Sequence, residues 1–260
     1  MFFAVFYALA ILAGTNYYDG SSPSSSSNTG TLPISSVTES TLIDYPVPAY
    51  LALRPRPLYK SAEESRLEKR GLVNVREYIP NIVVRLSYAS HQNVLGVKLY
   101  DYNEAYLLPS AALKLSNAQH LLSRTRPGTG LVIYEAARPQ AVQKKCWDFA
   151  AVKGLQYLFL PPSQVSMHSY GVAVDVCLID LATYKEVDMG SPIDMPGKLA
   201  STQWEQQLAA AGLLTSAQIN NRLLLRNVMR AAGFIPHPNE WWHFEAFSRY
   251  ESMQHFSPIP

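Results

Sequence analysis

Ser166-Met167-His168-Ser169-Tyr170-Gly171-Val172-Ala173-Val174-Asp175 is the most informative stretch of this chain, and Glu240-Trp241-Trp242-His243 is its counterpart nearer the C-terminus. From Gly171 to Ile179 the sequence is rich in Val and alternates small with apolar residues, which predicts a strand. His168 and Asp175 lie seven residues apart, an odd interval that a continuous strand would aim at opposite faces. For both to face one point the chain must turn between them. Tyr170-Gly171 is the place, because Gly accepts backbone angles that other residues avoid. Glu240 and His243, three residues apart, pose the same parity problem. With His243 on a strand, within a final short strand read over 240–247, Glu240 belongs in the bend after Pro238-Asn239.

Around these segments the elements are short and mixed. Ile82 to Tyr88 alternates like a half-buried strand after the turn residues Pro80 and Asn81, and the folded domain is expected to begin near Val73. Ser110 is a candidate cap for a helix over Ala111 to Ser123, and Leu131 to Ala136 reads as a buried strand ending at Arg138 and Pro139. Pro139 suits the first turn of a helix running to about Leu158. A second strand is expected near Lys185 to Val187. The clearest helix lies between Thr215 and Gly233: Leu224, Val228 and Ala232 recur at four-residue steps, Thr215 or Ser216 can cap it, and Gly233 sits where a left-handed residue ends a helix. Without a regular βαβ alternation, the expected class is α+β.

A chain of 260 residues that is 48% hydrophobic can bury a full core, and one domain over 73–260 accounts for it. The net charge of +2, with no Lys/Arg run, leaves no basic face for nucleic acid. Met1 to Ala13 carries no charged side chain and is the length of a signal-peptide apolar core, too short for a stable membrane span. Residues 1–18 are therefore read as a signal peptide or apolar N-terminal segment, with a periplasmic or secreted protein expected and a cytoplasmic one as the alternative. Residues 19–72 are read as a Ser/Pro-rich linker and extended region, within which Ser61 to Arg70 has helical composition. Cys146 and Cys177 are too few for a disulfide framework; they either pair or serve as buried small hydrophobes.

Two His and one Asp supply the neutral imidazoles and carboxylate that a catalytic zinc needs on three of four tetrahedral positions, the fourth being left for water or substrate. His168, Asp175 and His243 are the candidate ligands. His91, His120, His237 and His255 lack comparable surroundings, and His237 is the alternative ligand among them.

These segments resemble those of the VanX-type D-alanyl-D-alanine dipeptidases, within the wider group of zinc D,D-peptidases related to the Hedgehog fold. Further matching pieces follow in the family's order: Tyr88-Ala89, Asn93, Gly96, Glu135-Ala136-Ala137-Arg138-Pro139, Met189-Gly190-Ser191, Asp194, Asn221-Arg222 and Gly233-Phe234. The resemblance runs from about Val73 to Phe247 and implies an α+β fold with a mostly antiparallel central sheet flanked by helices. It implies one zinc ion on His168, Asp175 and His243, a general base at Glu240, and an arginine at Arg138 that stabilises the oxyanion. It also implies a small D,D-dipeptide as substrate, its ammonium received by Asp194 and its carboxylate near the Ser166 hydroxyl.

This sequence departs from the pattern in three places. Glu135 stands where an aspartate is usual, Ala136-Ala137 replaces Gly-Tyr before the arginine, and the segment between Asp194 and Glu240 is longer. Substrate preference is where such departures act. Two other readings stay open: a D,D- or L,D-carboxypeptidase on longer peptidoglycan stems, and a zinc-stabilised binding module without catalysis.

Overall fold

The computed structural model describes residues 60–195 and 197–260; the N-terminal apolar segment 1–18 and the Ser/Pro-rich stretch up to residue 59 lie outside the described residues. The elements in chain order are α1 (Ala62–Lys69), β1 (Val73–Asn74), β2 (Val83–Val84), β3 (Tyr106–Leu107), α2 (Pro109–Thr125), β4 (Thr129–Glu135), α3 (Gln140–Lys153), β5 (Ala173–Asp180), α4 (Glu205–Ala210), α5 (Ser216–Ala231), β6 (Ile235–Pro236), β7 (His243–Glu245) and α6 (Arg249–His255). Short 3-10 turns join several of them. The fold is α+β, as expected.

The main sheet has five strands in the order β2-β4-β5-β7-β6. Only the β2–β4 pair is parallel; β4–β5, β5–β7 and β6–β7 are antiparallel. β1 and β3 form a separate antiparallel pair. β4 and β5 are buried along almost their whole length, which is why both read as near-continuous apolar runs. Helices α2 and α5 pack on each other and on these two strands. Leu115, Ala118 and Leu122 of α2 and Leu225, Val228 and Met229 of α5 supply the buried stripes.

Local chemistry sets the helix ends. Thr215 and Gln218 form a reciprocal capping box at the start of α5, and Gly233 takes the positive φ expected of it. Ser61 and Glu64 do the same for α1, and the turn of α1 places Leu67, with Leu72 after it, in the core. Packed structure thus reaches upstream of Val73: Leu67 is buried, and Glu64 accepts from the Tyr106 hydroxyl at 3.3 Å.

Other expectations shift at their edges. α2 starts at Pro109 with Leu108 in the cap position, so Ser110 lies inside the first turn; a proline there loses only an amide that would be unpaired anyway. α3 stops at Lys153 because Gly154 turns left-handed, short of Leu158. The strand expected over Ile82 to Tyr88 is reduced to Val83–Val84, with a 3-10 turn over Ser87–Ala89. Near Lys185 to Val187 a single bridge, Glu186 to Ile179, replaces the expected strand. β7 begins at His243, leaving Glu240 in the bend after Pro238-Asn239. Cys146 and Cys177 are both buried free thiols. Among the described residues no helix is long and apolar enough to cross a membrane.

Candidate metal centre and active site

Sheet register assembles half of the site. Asp175 on β5 is paired directly with His243 on β7 and, on its other side, with Glu135 on β4. Directly opposed residues in an antiparallel pair share a face, so the three side chains form one row across three strands. A register irregularity between Ile133 and Glu135 makes this row possible by re-aiming the end of β4.

His168 reaches the same point from outside the sheet. It lies in the 3-10 turn Met167–Tyr170, whose start is capped by Ser166 Oγ accepting from the His168 amide at 3.3 Å. Gly171 ends the turn with φ 70°, the break that the odd spacing requires. A Cβ there would lie 2.9 Å from Leu72 Cδ2, so both conformation and space call for glycine.

The three ligand atoms are close. His168 Nε2 is 3.2 Å from His243 Nδ1, His243 Nδ1 is 2.9 Å from Asp175 Oδ1, and His168 Nε2 is 3.4 Å from Asp175 Oδ2. A tetrahedral ion with bonds of about 2.0–2.1 Å needs donors about 3.3 Å apart, so the residues fit a metal of that kind. Both ring nitrogens pointing away are engaged. His168 Nδ1 donates to the Ala136 carbonyl at 2.8 Å, and His243 Nε2 faces Glu245 Oε1 at 3.5 Å. These partners fix each tautomer and leave His168 Nε2 and His243 Nδ1 as lone-pair donors.

The electrostatics say the same. Burial works to raise the Asp175 carboxyl, yet the two imidazoles beside it hold it well below the usual carboxylate range. Burial keeps His168 below its ordinary value despite Asp175. For His243 burial is outweighed by the hydrogen bonds to Asp175 and Glu245, which lift it to about 10. A pocket of this sign favours a cation, and a metal bound there would displace the proton on His243.

Around this centre stand the other expected residues. Glu240 lies with Oε2 3.9 Å from His243 Nδ1, its side chain 39% exposed, so solvent can reach it. The surrounding protein still raises its carboxyl, an effect that His243 partly offsets. Arg138 is buried, and its backbone amide donates to the His168 carbonyl at 3.0 Å, tying it to the metal-ligand turn. Its pairing with Glu135 is loose, at 4.0 Å, and among the described residues its Nε has no hydrogen-bond partner, so donor capacity remains. Glu135 accepts from the Tyr100 hydroxyl at 2.8 Å, and burial pushes it up to about 8 against the pull of Arg138. Asp194 sits at φ 61°, a backbone region uncommon for a non-glycine residue; burial and Asp175 raise it to about 7. Ser166 is buried and acts first as the cap of the His168 turn. His237, the alternative ligand, is not within the ligand triad; burial and the neighbouring His243 bring it down to about 4.

Three contributors were assigned no role from the sequence, although Ala136 and Arg222 stand in the matching segments. Glu245 and the Ala136 carbonyl orient the two imidazoles, and their roles depend on register rather than on residue type. Arg222, wholly buried in α5, donates to the carbonyls of Met189 and Leu199 and to Ser191 Oγ, pinning both ends of the loop that carries Asp194. The Trp241 indole donates to the same Ser191 hydroxyl at 2.8 Å, linking that loop to the Glu240 bend.

Comparison with known proteins agrees with this geometry. The sequence model of the family described as D-ala-D-ala dipeptidase matches residues 68–258. The chain is 32% identical over 174 residues to a D-alanyl-D-alanine dipeptidase of Escherichia coli (strain K12), covering 67% of this chain and 83% of that one. A dipeptidase of the same name from Synechocystis sp. is 29% identical over 188 residues, covering 56% and 71%. One from Enterococcus faecalis is 23% identical over 192 residues, covering 68% and 92%. A match over most of the described residues, together with the buried His-Asp-His triad, places this chain in the D-ala-D-ala dipeptidase family.

Proposed function

We propose that this chain hydrolyses D-alanyl-D-alanine or a related D,D-dipeptide in cell-wall peptide metabolism, with one zinc ion on His168, Asp175 and His243 and Glu240 as general base. The observation that carries this reading is the triad itself: three buried donors at nearly tetrahedral separations, each imidazole oriented by a second partner, beside a carboxylate that solvent can reach. Two imidazoles and a carboxylate suit zinc among the divalent ions. When bound, zinc lowers the pKa of water towards neutrality and polarises a carbonyl oxygen.

The chain's own groups do the rest. Glu240, whose carboxyl the surrounding protein raises, accepts the proton of the attacking water and returns it to the leaving amine. Arg138, buried with unmet donor capacity, meets the negative charge that develops on the scissile carbonyl oxygen. A free dipeptide is a zwitterion, and both of its charges must be met when it is desolvated. Asp194 receives the ammonium, whose arrival favours the ionised carboxylate that burial otherwise opposes. The Ser166 hydroxyl, its oxygen accepting from the His168 amide, keeps its proton for the substrate carboxylate.

D-alanine release from D-alanyl-D-alanine, measured together with zinc content for the native protein and Glu240→Ala, tests this. The native protein should turn over, and the variant should hold zinc while kcat falls by about 10²–10⁴-fold. A zinc-loaded native protein that releases no D-alanine would sink the dipeptide reading and turn attention to longer peptidoglycan stems.

A further inference from the structure

Glu240 makes no side-chain hydrogen bond among the described residues, although a base that shuttles a proton works only when its carboxylate is aimed. Two nitrogens lie within 4 Å of its Oε2: His237 Nδ1 at 3.8 Å and His243 Nδ1 at 3.9 Å. The second is a ligand atom and has no proton to give when it binds a metal. The first is buried and, among the described residues, has no hydrogen-bond partner.

We infer that His237 is a positioning residue for Glu240, its Nδ1–H donating to the Glu240 carboxylate and aiming it in the loaded site. The inference rests on the proposed role of Glu240 as base. The frame around His237 is already set. It follows β6, which is paired with β7, and its backbone amide donates to the His243 carbonyl at 3.0 Å. Its ring stands edge-on to His243, with centroids 5.5 Å apart and planes at 79°. Closing the gap to Glu240 asks only for a shift of about 1 Å in two side chains that flank the Pro238-Asn239 turn, the kind of tightening catalytic hydrogen bonds undergo when substrate binds.

Two substitutions separate this role from simple packing. His237→Phe keeps a ring against His243 and removes the donor, whereas His237→Asn puts an amide N–H close to the place of Nδ1. In the zinc-loaded protein, His237→Phe should lower kcat about 10- to 100-fold with KM and zinc stoichiometry unchanged, and His237→Asn should recover most of that loss. Long-range ¹H–¹⁵N spectra supply a readout independent of turnover: Nδ1 of His237 should carry the proton, and its shift should move in Glu240→Gln. Native kcat in His237→Phe, equal loss in both variants accompanied by loss of zinc, or a bare Nδ1 would each overturn the inference. If the native protein fails to release D-alanine, the kinetic arm falls with the proposed function, while the tautomer measurement still decides whether His237 and Glu240 are hydrogen-bonded.

Discussion

The site has two halves built on different physics. Glu135, Asp175 and His243 stand in one row on β4, β5 and β7, where strand register fixes their spacing and the surrounding core fixes their rotamers. Glu240, Asp194 and Arg138 lie on bends and loops at the edge of that row: Asp194 takes a positive φ, and among the described residues Glu240 has no side-chain hydrogen bond and Arg138 Nε has no partner. Asp175 and His243 of this row, joined by His168 from its 3-10 turn, form the buried triad that could hold a metal. The half that would meet the substrate is held in place by backbone ties, such as the Arg138 amide on the His168 carbonyl, and leaves its polar atoms available. Rigid elements give precision where ligand atoms must lie within tenths of an ångström, and loops give exposed charge where a small zwitterion must enter and leave.

The contrast can be broken most severely from the sheet side. Asp175→Ala removes one donor and leaves two buried imidazoles facing each other. It should abolish stoichiometric zinc binding, measured by elemental analysis after dialysis, and cost about 3–5 kcal/mol in denaturant unfolding. Retained zinc would show that His168, Asp175 and His243 are not the ligand set.

Proton competition is the next largest effect. In the metal-free protein His243 is held at about 10 against about 6.5 when unfolded, so its charged form adds stability that is fully present below 6.5 and is lost as pH rises through 10. A metal must displace that proton, while Asp175 is already ionised and His168 already neutral. Apparent zinc affinity, measured against a chelator of known strength, should therefore tighten by about tenfold per pH unit between pH 7 and pH 9. A flat profile would exclude His243 as a ligand.

The turn that brings His168 to the row offers a third test. Gly171→Ala forces a side chain into a positive φ and against Leu72, and should cost about 1–3 kcal/mol while weakening zinc binding. By contrast, Thr215→Ala removes a cap at the far end of α5. It should cost about 1 kcal/mol in unfolding experiments and leave zinc affinity unchanged. Equal effects of these two substitutions on zinc affinity would mean that the site responds to global stability rather than to the His168 turn.

Legibility in the sequence followed the same division. The Thr215–Gly233 helix was plain because its cap, its apolar stripe and its terminal glycine are all local signals. Tyr170-Gly171 was identifiable as the break from parity alone, and the bend before His243 likewise. Short strands were the weak point. Ile82 to Tyr88 alternates well enough for a strand, yet only Val83–Val84 finds a partner, because pairing depends on what lies alongside β4. The orienting roles of Glu245 and Ala136 could not be read, since one is an ordinary strand glutamate and the other contributes only a carbonyl.

Residue type and interval named the candidate ligands, and the odd spacing of His168 and Asp175 around a glycine lets them meet only if the chain turns where it does, a constraint that is local. Long-range pairing set the rest. The irregularity in β4 that brings Glu135 opposite Asp175, the register that sets Asp175 beside His243, and the reach of Arg222 into the Asp194 loop join segments roughly 30 to 70 residues apart. No sequence window contains both partners, so these contacts arise only when the sheet closes and the helices pack upon it.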